Sequence, residues 1–225
     1  MKRNNVLILV LLIIQLFNNN VIAQTNAPFF KEIEIFKKMD QNNPPEKGAI
    51  LFVGSSSFTN WKDVQNYFPD YSIINRGFGG SSLPDVIRYA PDIIYPYQPS
   101  QVVIYCGEND FTISQNTNAD TVFNRFSKLF GMIRKNIPKA HILFISIKPS
   151  PSRAKYMPEM VRANELIRKY LKKRSRTGFV DVYNKMLLDD GSPMQDIFLN
   201  DKLHMNKKGY AIWQKEIYPH LRKKE

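Results

Sequence analysis

Asp201-Lys202-Leu203-His204 stands near the end of a 225-residue chain with three histidines, and His204 alone has a carboxylate at i−3 in a loop before a helix. An Asp at that offset can fold back onto one imidazole nitrogen, fix the tautomer and leave the other nitrogen free to take a proton. A base held in this way calls for a nucleophile and for donors aimed at a developing oxyanion. Gly54-Ser55-Ser56-Ser57 offers hydroxyls, and Gly107-Glu108-Asn109-Asp110 offers a side-chain amide. Gly77-Phe78-Gly79-Gly80 offers a backbone N–H, at Gly80, that can approach a substrate oxygen with no Cβ in the way. Each cluster has a plainer meaning when seen alone: a Ser-rich helix cap, a flexible turn, a polar turn. Composition does not separate Ser55, Ser56 and Ser57. Ser56 is preferred because residues just after a strand form a tight turn, where its own amide can join the oxyanion donors.

The elements around these clusters bring them together. Residues 49–53, 72–75, 101–105, 141–147 and 179–182 are short apolar runs, as expected of strands buried on both faces. Between them, residues 29–40, 84–90, 119–136 and 157–175 repeat apolar side chains every three to four positions and predict helices; a last helix follows its cap, Asn206. Strands alternating with helices predict an α/β sheet, parallel, with helices on both faces. Ligands of such sheets bind beyond the carboxyl ends of the strands. The Ser, Gly and Asn clusters each follow a strand, and the Asp-x-x-His segment can reach the same rim.

Composition limits the alternatives. With 43% hydrophobic and 12% aromatic residues, the chain suffices for one well-cored domain, expected over residues 24–225. Residues 1–23 read differently: Lys2 and Arg3, an apolar run over residues 6–17, then a polar break and Ala23. This is the order of a cleaved secretory signal, and the apolar run is short of the about 20 residues a spanning helix needs. A periplasmic or secreted protein without stable membrane insertion is expected. The single Cys106 cannot pair within the chain, and its apolar setting predicts a buried, inert thiol. Formal charge is +12, or +10 once Lys2 and Arg3 are set aside. The densest basic runs, residues 172–176 and 222–224, fall where helices should end, so each reads as a solvated helix terminus rather than a nucleic-acid surface.

Taken together, the motifs resemble those of the SGNH (GDSL-type) hydrolase family, esterases that include a platelet-activating-factor acetylhydrolase-like branch. Residues 50–61 resemble the first block, with the nucleophile at Ser56. Asn75-Arg76-Gly77-Phe78-Gly79-Gly80 resembles the second, with the oxyanion glycine at Gly80. Gly107-Glu108-Asn109-Asp110 matches the Gly-x-Asn-Asp of the third, and Asp201-Lys202-Leu203-His204 the closing Asp-x-x-His. One departure is Ser55, where the first block usually carries Asp. Phe58, where a Gly-x-Ser-x-Gly elbow would have its second glycine, argues against the α/β-hydrolase fold. The resemblance implies a flavodoxin-like three-layer α/β/α sandwich of about five parallel strands, and a Ser56, Asp201, His204 triad. The oxyanion would be held by the N–H groups of Ser56 and Gly80 and the Asn109 side chain.

It implies neither metal nor organic cofactor. Export, and the lack of an insertion long enough for a lid, point to short acyl groups such as acetyl, carried on a carbohydrate. Phe58, Trp61, Phe78, Phe111, Tyr156 and Phe198 could line the rim, although core is the commoner place for such rings; Arg153 could contact substrate. Two further readings fit the same motifs: an O-acyltransferase passing acetyl to a glycan hydroxyl, and a catalytically silent glycan-binding protein.

Overall fold

The computed structural model describes residues 27–114 and 116–223; the expected leader and its cleavage after Ala23 lie outside them. Five parallel strands form one sheet: β1 (Ile50–Gly54), β2 (Ile73–Gly77), β3 (Gln101–Tyr105), β4 (His141–Ile145) and β5 (Thr177–Val180), in the order β2-β1-β3-β4-β5. This is the doubly wound flavodoxin-like order, which reverses direction between β1 and β3. The helices are α1 (Phe30–Asn42), the short α2 (Ser56–Thr59) and α3 (Val64–Tyr67), α4 (Leu83–Ile93), the short α5 (Asp110–Ile113), α6 (Ala119–Asn136), α7 (Met157–Lys172) and α8 (Lys207–Ile217). No described helix is long and apolar enough to cross a membrane.

Alternation along the strands sends successive side chains to opposite faces. Leu51, Val53, Val102, Ile104, Ile142 and Phe144 pack under α1, α4, α6 and α7. Ile50, Phe52, Val103, Tyr105, Leu143 and Ile145 meet α2, α3 and α8 across a cluster of rings, including Phe58, Trp61, Phe68, Tyr210 and Trp213. Trp61 stacks on Tyr210 with centroids 4.8 Å apart, and Phe58 meets Trp213 edge-on at 6.1 Å. Ring pairs of this kind contribute about 0.5–1.5 kcal/mol each beyond their burial.

The differences from the sequence expectation are local. Strand β5 starts two residues early, at Thr177-Gly178, a pair that reads as a turn; Gly178 lies so close under Leu143 that a Cβ there would meet its Cδ1 at 2.6 Å. Strand β4 ends early because the Ile147 N–H leaves the ladder for Asn164 Oδ1 at 2.8 Å. The four-residue helices α2 and α3 are too short to show a period. Caps fall at polar residues: Ser82 and Asp85 form a capping box on α4, Asn118 accepts from Thr121 N–H on α6, and Asn206 accepts from Lys208 and Gly209 N–H on α8.

Candidate active site

Strand register makes a level rim. Gly54 pairs with Gly77 on β2 and with Tyr105 on β3, so the segments after all three strands start from a common height. That height is the switch point of the sheet, where a crevice opens. Gly54 has φ +145°, and a Cβ there would sit 1.9 Å from the Tyr105 carbonyl oxygen, so only glycine fits. The chain turns at once: the Ser55 N–H donates to Tyr105 O at 3.1 Å, and half-buried Ser56 opens α2. The Ser56 hydroxyl makes no hydrogen bond among the described residues. Gly80, exposed and at φ +82°, leaves its backbone open to an approaching group.

Asn109 meets the turn directly. Its Nδ2 donates to Ser55 Oγ at 2.8 Å and to the Ser81 carbonyl at 3.0 Å, so the amide bridges the segments after β1 and β2. Next to it, fully buried Asp110 accepts from the Leu83 N–H at the start of α4 and from Arg125, at 2.9 and 2.8 Å. Burial pushes the Asp110 carboxyl above the usual range, against those same bonds.

At the other end of the chain, His204 Nδ1 lies 2.6 Å from Asp201 Oδ2, while Asp201 Oδ1 accepts from the Leu203 and His204 N–H groups at 2.9 Å each. The turn needs Lys202 at φ +57°. Burial alone would raise the Asp201 carboxyl, but the His204 side chain and the two N–H donors hold it down to about 2. His204 Nε2 makes no hydrogen bond among the described residues. Two backbone bonds brace the segment, and a third bond joins α8, which follows it, to the nucleophile turn. Ser152 N–H, after β4, donates to Lys202 O at 3.1 Å, Leu199 N–H donates to His204 O at 2.8 Å, and Tyr210 Oη on α8 donates to the Ser57 carbonyl at 2.9 Å. No hydrogen bond joins Ser56 and His204 directly in this conformation.

A buried polar network that the residue pattern did not announce lies below these loops. Glu108 accepts from Lys148 Nζ at 2.9 and 3.1 Å, from Ser150 Oγ at 3.1 Å and from Tyr105 Oη at 2.7 Å. Lys148 is 1% exposed and its Nζ lies over the Phe198 ring. Tyr105 takes a further bond from the Ser57 side chain; burial first, then the Glu108 charge, pushes its phenol well above 10. The network therefore touches the neighbour of Ser56, the neighbour of Asn109 and the approach to Asp201. A lysine at the end of the apolar run His141-to-Ile147 was the available signal.

The aromatic expectations resolve mostly toward core. Phe58, Trp61, Phe78 and Phe111 are all but wholly buried, so Phe78 and Phe111 present no face to a ligand here: Phe78 packs on Phe29 and Tyr89, and Phe111 stacks on Tyr156. Instead, Leu199, which binds the His204 carbonyl, and Ile113, on the helix after Asn109, are exposed apolar side chains beside the site. Arg153, one residue from the Ser152–Lys202 contact, is half-exposed, with a buried Nε that has no partner among the described residues. Cys106 is buried and its thiol pushed up by burial, as expected of an inert sulfur.

A doubly wound sheet with Ser, Gly and Asn at its strand ends and an Asp-x-x-His turn before its last helix defines a class of α/β/α hydrolases. A profile of the GDSL-like Lipase/Acylhydrolase family matches residues 48–212, most of the chain and all of these segments, and the chain belongs to that family. It is 27% identical over 214 residues to the GDSL esterase/lipase WDL1 of Oryza sativa subsp. japonica, covering 80% of this chain and 81% of the rice protein. Its fold is similar to that of a GDSL-like lipase from Bacteroides thetaiotaomicron (TM-score 0.70, 19% identity, 84% and 96% of the two chains). It is also similar to that of an acetyl xylan esterase, AlAXEase (TM-score 0.62, 16% identity, 77% and 99%).

Proposed function

We propose that this hydrolase is an exported serine esterase that removes short acyl groups, chiefly acetyl, from carbohydrate through an acyl-enzyme. The observation that carries the reading is the 2.6 Å Asp201–His204 contact, with Nε2 unengaged among the described residues, just ahead of the helix whose Tyr210 bonds the turn that bears Ser56. Ser56 Oγ attacks the ester carbonyl as His204 Nε2 takes its proton, and Asp201 holds the tautomer and stabilises the imidazolium. The oxyanion is met by the N–H groups of Ser56 and Gly80 and by Asn109 Nδ2, each such donor lowering the barrier by about 3 kcal/mol. The proton then passes to the leaving alkoxide. Water, activated by His204, attacks the acyl carbonyl, and carboxylate leaves with Ser56 restored.

Two adjustments are required: Ser56 Oγ and His204 Nε2 must close to hydrogen-bond distance when substrate binds, as often happens only in the bound complex, and Asn109 must share or redirect one of its two N–H bonds. The acetyl xylan esterase on the same fold supports acetyl and carbohydrate as the substrate class. Arg153, whose Nε has no partner among the described residues, carries a guanidinium suited to a sugar hydroxyl or the ester oxygen. Ser56→Ala should abolish release of p-nitrophenol from p-nitrophenyl acetate, acetate release from acetylated xylan and labelling by a fluorophosphonate, with the circular-dichroism spectrum intact. Unchanged turnover in that variant would sink the assignment.

A further inference from the structure

At the pole of the sheet opposite the candidate active site, the amino ends of β3, β4 and β5 and the chain after α8 line an open groove of about 890 Å3. Lys139, Arg176, Arg222, Lys223 and the imidazoles of His141 and His220 line it, and among the described residues no carboxylate does. None of the four cations makes an ion pair among the described residues. Arg176 and the Arg222-Lys223 pair come from the two basic runs that the sequence places at separate helix ends; the fold brings them to one wall.

The wall is built rather than frayed. The fully buried Gln101 amide donates to His220 O at 2.9 Å and accepts from Arg222 N–H at 3.0 Å, pinning the terminal segment beside β3. Arg134 on α6 caps the carbonyls of Pro138, Ala140, Ser175 and Arg176, locking the two turns that carry Lys139 and Arg176. Arg176 sits at φ +53°, a conformation glycine would adopt with less strain. The four cations are exposed side chains on these held turns, and like charges around one groove repel one another, a repulsion that an entering anion relieves.

We propose that this groove binds the carboxylates or sulfates of an acidic polysaccharide, a second saccharide site remote from the esterase centre. The choice of polysaccharide rests on the carbohydrate-esterase reading, whereas the affinity for anions rests on the groove alone. A concave slot admits a single extended chain, while a membrane surface would need a convex basic face. The site would hold an acidic glycan while esters are removed from it at the other pole, lengthening the residence of enzyme on polymer. The groove's electrostatics agree: burial first, then Arg222, Arg134 and His220, push the His141 imidazole down to about 4, against one backbone bond to Thr177 that raises it. The Gln101 amide, 3.5 Å from His141 Nδ1, is the neutral group facing the ring.

Calorimetry with the protein at low salt should show binding of polygalacturonate or heparin, weakened by added NaCl, and no binding of neutral dextran. Arg176→Gln/Arg222→Gln should weaken binding by about tenfold or more, through loss of two charged contacts, with p-nitrophenyl acetate turnover unchanged. Lys172→Gln/Lys173→Gln, which removes as much charge from the end of α7, should leave it within about twofold. Bound polygalacturonate should also raise the His141 pKa, read from its ring-proton shifts. Equal losses in the two double variants, or an unmoved His141, would show only the general field of a basic protein and overturn the site. Tighter binding of single-stranded DNA or phosphatidylserine vesicles than of either polysaccharide would overturn the occupant. Loss of esterase activity on every sugar ester, with polyanion binding retained, would refute the reading of the active site and leave the groove standing.

Discussion

Asn109 donates both of its side-chain hydrogens inside the protein, to Ser55 Oγ and to the Ser81 carbonyl. Ser55, the departure from the usual Gly-Asp-Ser, is thus the residue that holds the Asn109 amide against the nucleophile turn. A hydroxyl is a weaker acceptor than a carboxylate, so the amide is held in place yet can turn one N–H toward an oxyanion. Ser55→Ala should lower kcat for p-nitrophenyl acetate by about tenfold with KM little changed, because the contact matters chiefly in the transition state; a change in KM alone would refute this role. Asp201→Asn should cut kcat by about 10³–10⁴-fold by favouring the wrong imidazole tautomer. The Asp201 carboxyl is lowered by folding to about 2, so its contribution to the loop is complete above its unfolded pKa of about 4 and disappears only as pH falls toward 2. Wild-type and Asp201→Asn proteins should therefore have parallel stability-against-pH curves above about pH 4 and converge below it. Convergence already at neutral pH would remove the carboxylate from the account.

Among the elements, the Glu108–Lys148 pair is the brace between loops. Glu108 leaves β3, Lys148 leaves β4, and both are buried with Tyr105 and Ser150 as further partners. Removing one member of such a pair strands the other charge in the interior, at a cost of about 3–5 kcal/mol, whereas a neutral pair of similar shape can be nearly as stable as the ions. Lys148→Met should therefore lower the urea midpoint sharply, and Glu108→Gln/Lys148→Met should recover most of the loss. If the brace also sets the spacing of Ser56 from His204, the recovered double variant should still have a reduced kcat. Full activity in it would make the pair structural only. A single variant as stable as wild type would refute the brace.

For the molecule as a whole, charge and pH meet at the basic pole. The His141 imidazole is lowered to about 4 in the fold, against about 6.5 in an unfolded chain. As pH falls from about 6.5 to 4 the unfolded state takes up this proton first, so stability is lost across that window and levels off below it. His141→Gln should remove this part of the slope, measured as melting temperature against pH; a slope of the same size in the variant would place its origin elsewhere. The slope has the same sign as that for Asp201, but the window differs: the Asp201 contribution is lost only below about pH 4 and is unaffected between pH 4 and 6.5.

The amino-acid sequence by itself determined the alternation of buried runs and amphipathic helices, and hence a parallel sheet. It also determined three polar clusters at strand ends and an Asp-x-x-His turn before the last helix, because strand length, period and turn chemistry are local properties. Thr177-Gly178 escaped it because a strand can begin at a turn-like pair when a neighbouring side chain leaves room only for glycine. The aromatic rim escaped it because a ring next to a site in sequence, such as Phe78 or Phe111, can turn inward. Glu108 with Lys148, and Arg176 with Arg222, lie 40 or more positions apart along the chain. One pair became a buried brace and the other a shared groove only when tertiary structure set their distances and dielectric. The proton-holding geometry of Asp201 and His204, closed within a four-residue turn, was legible from the start.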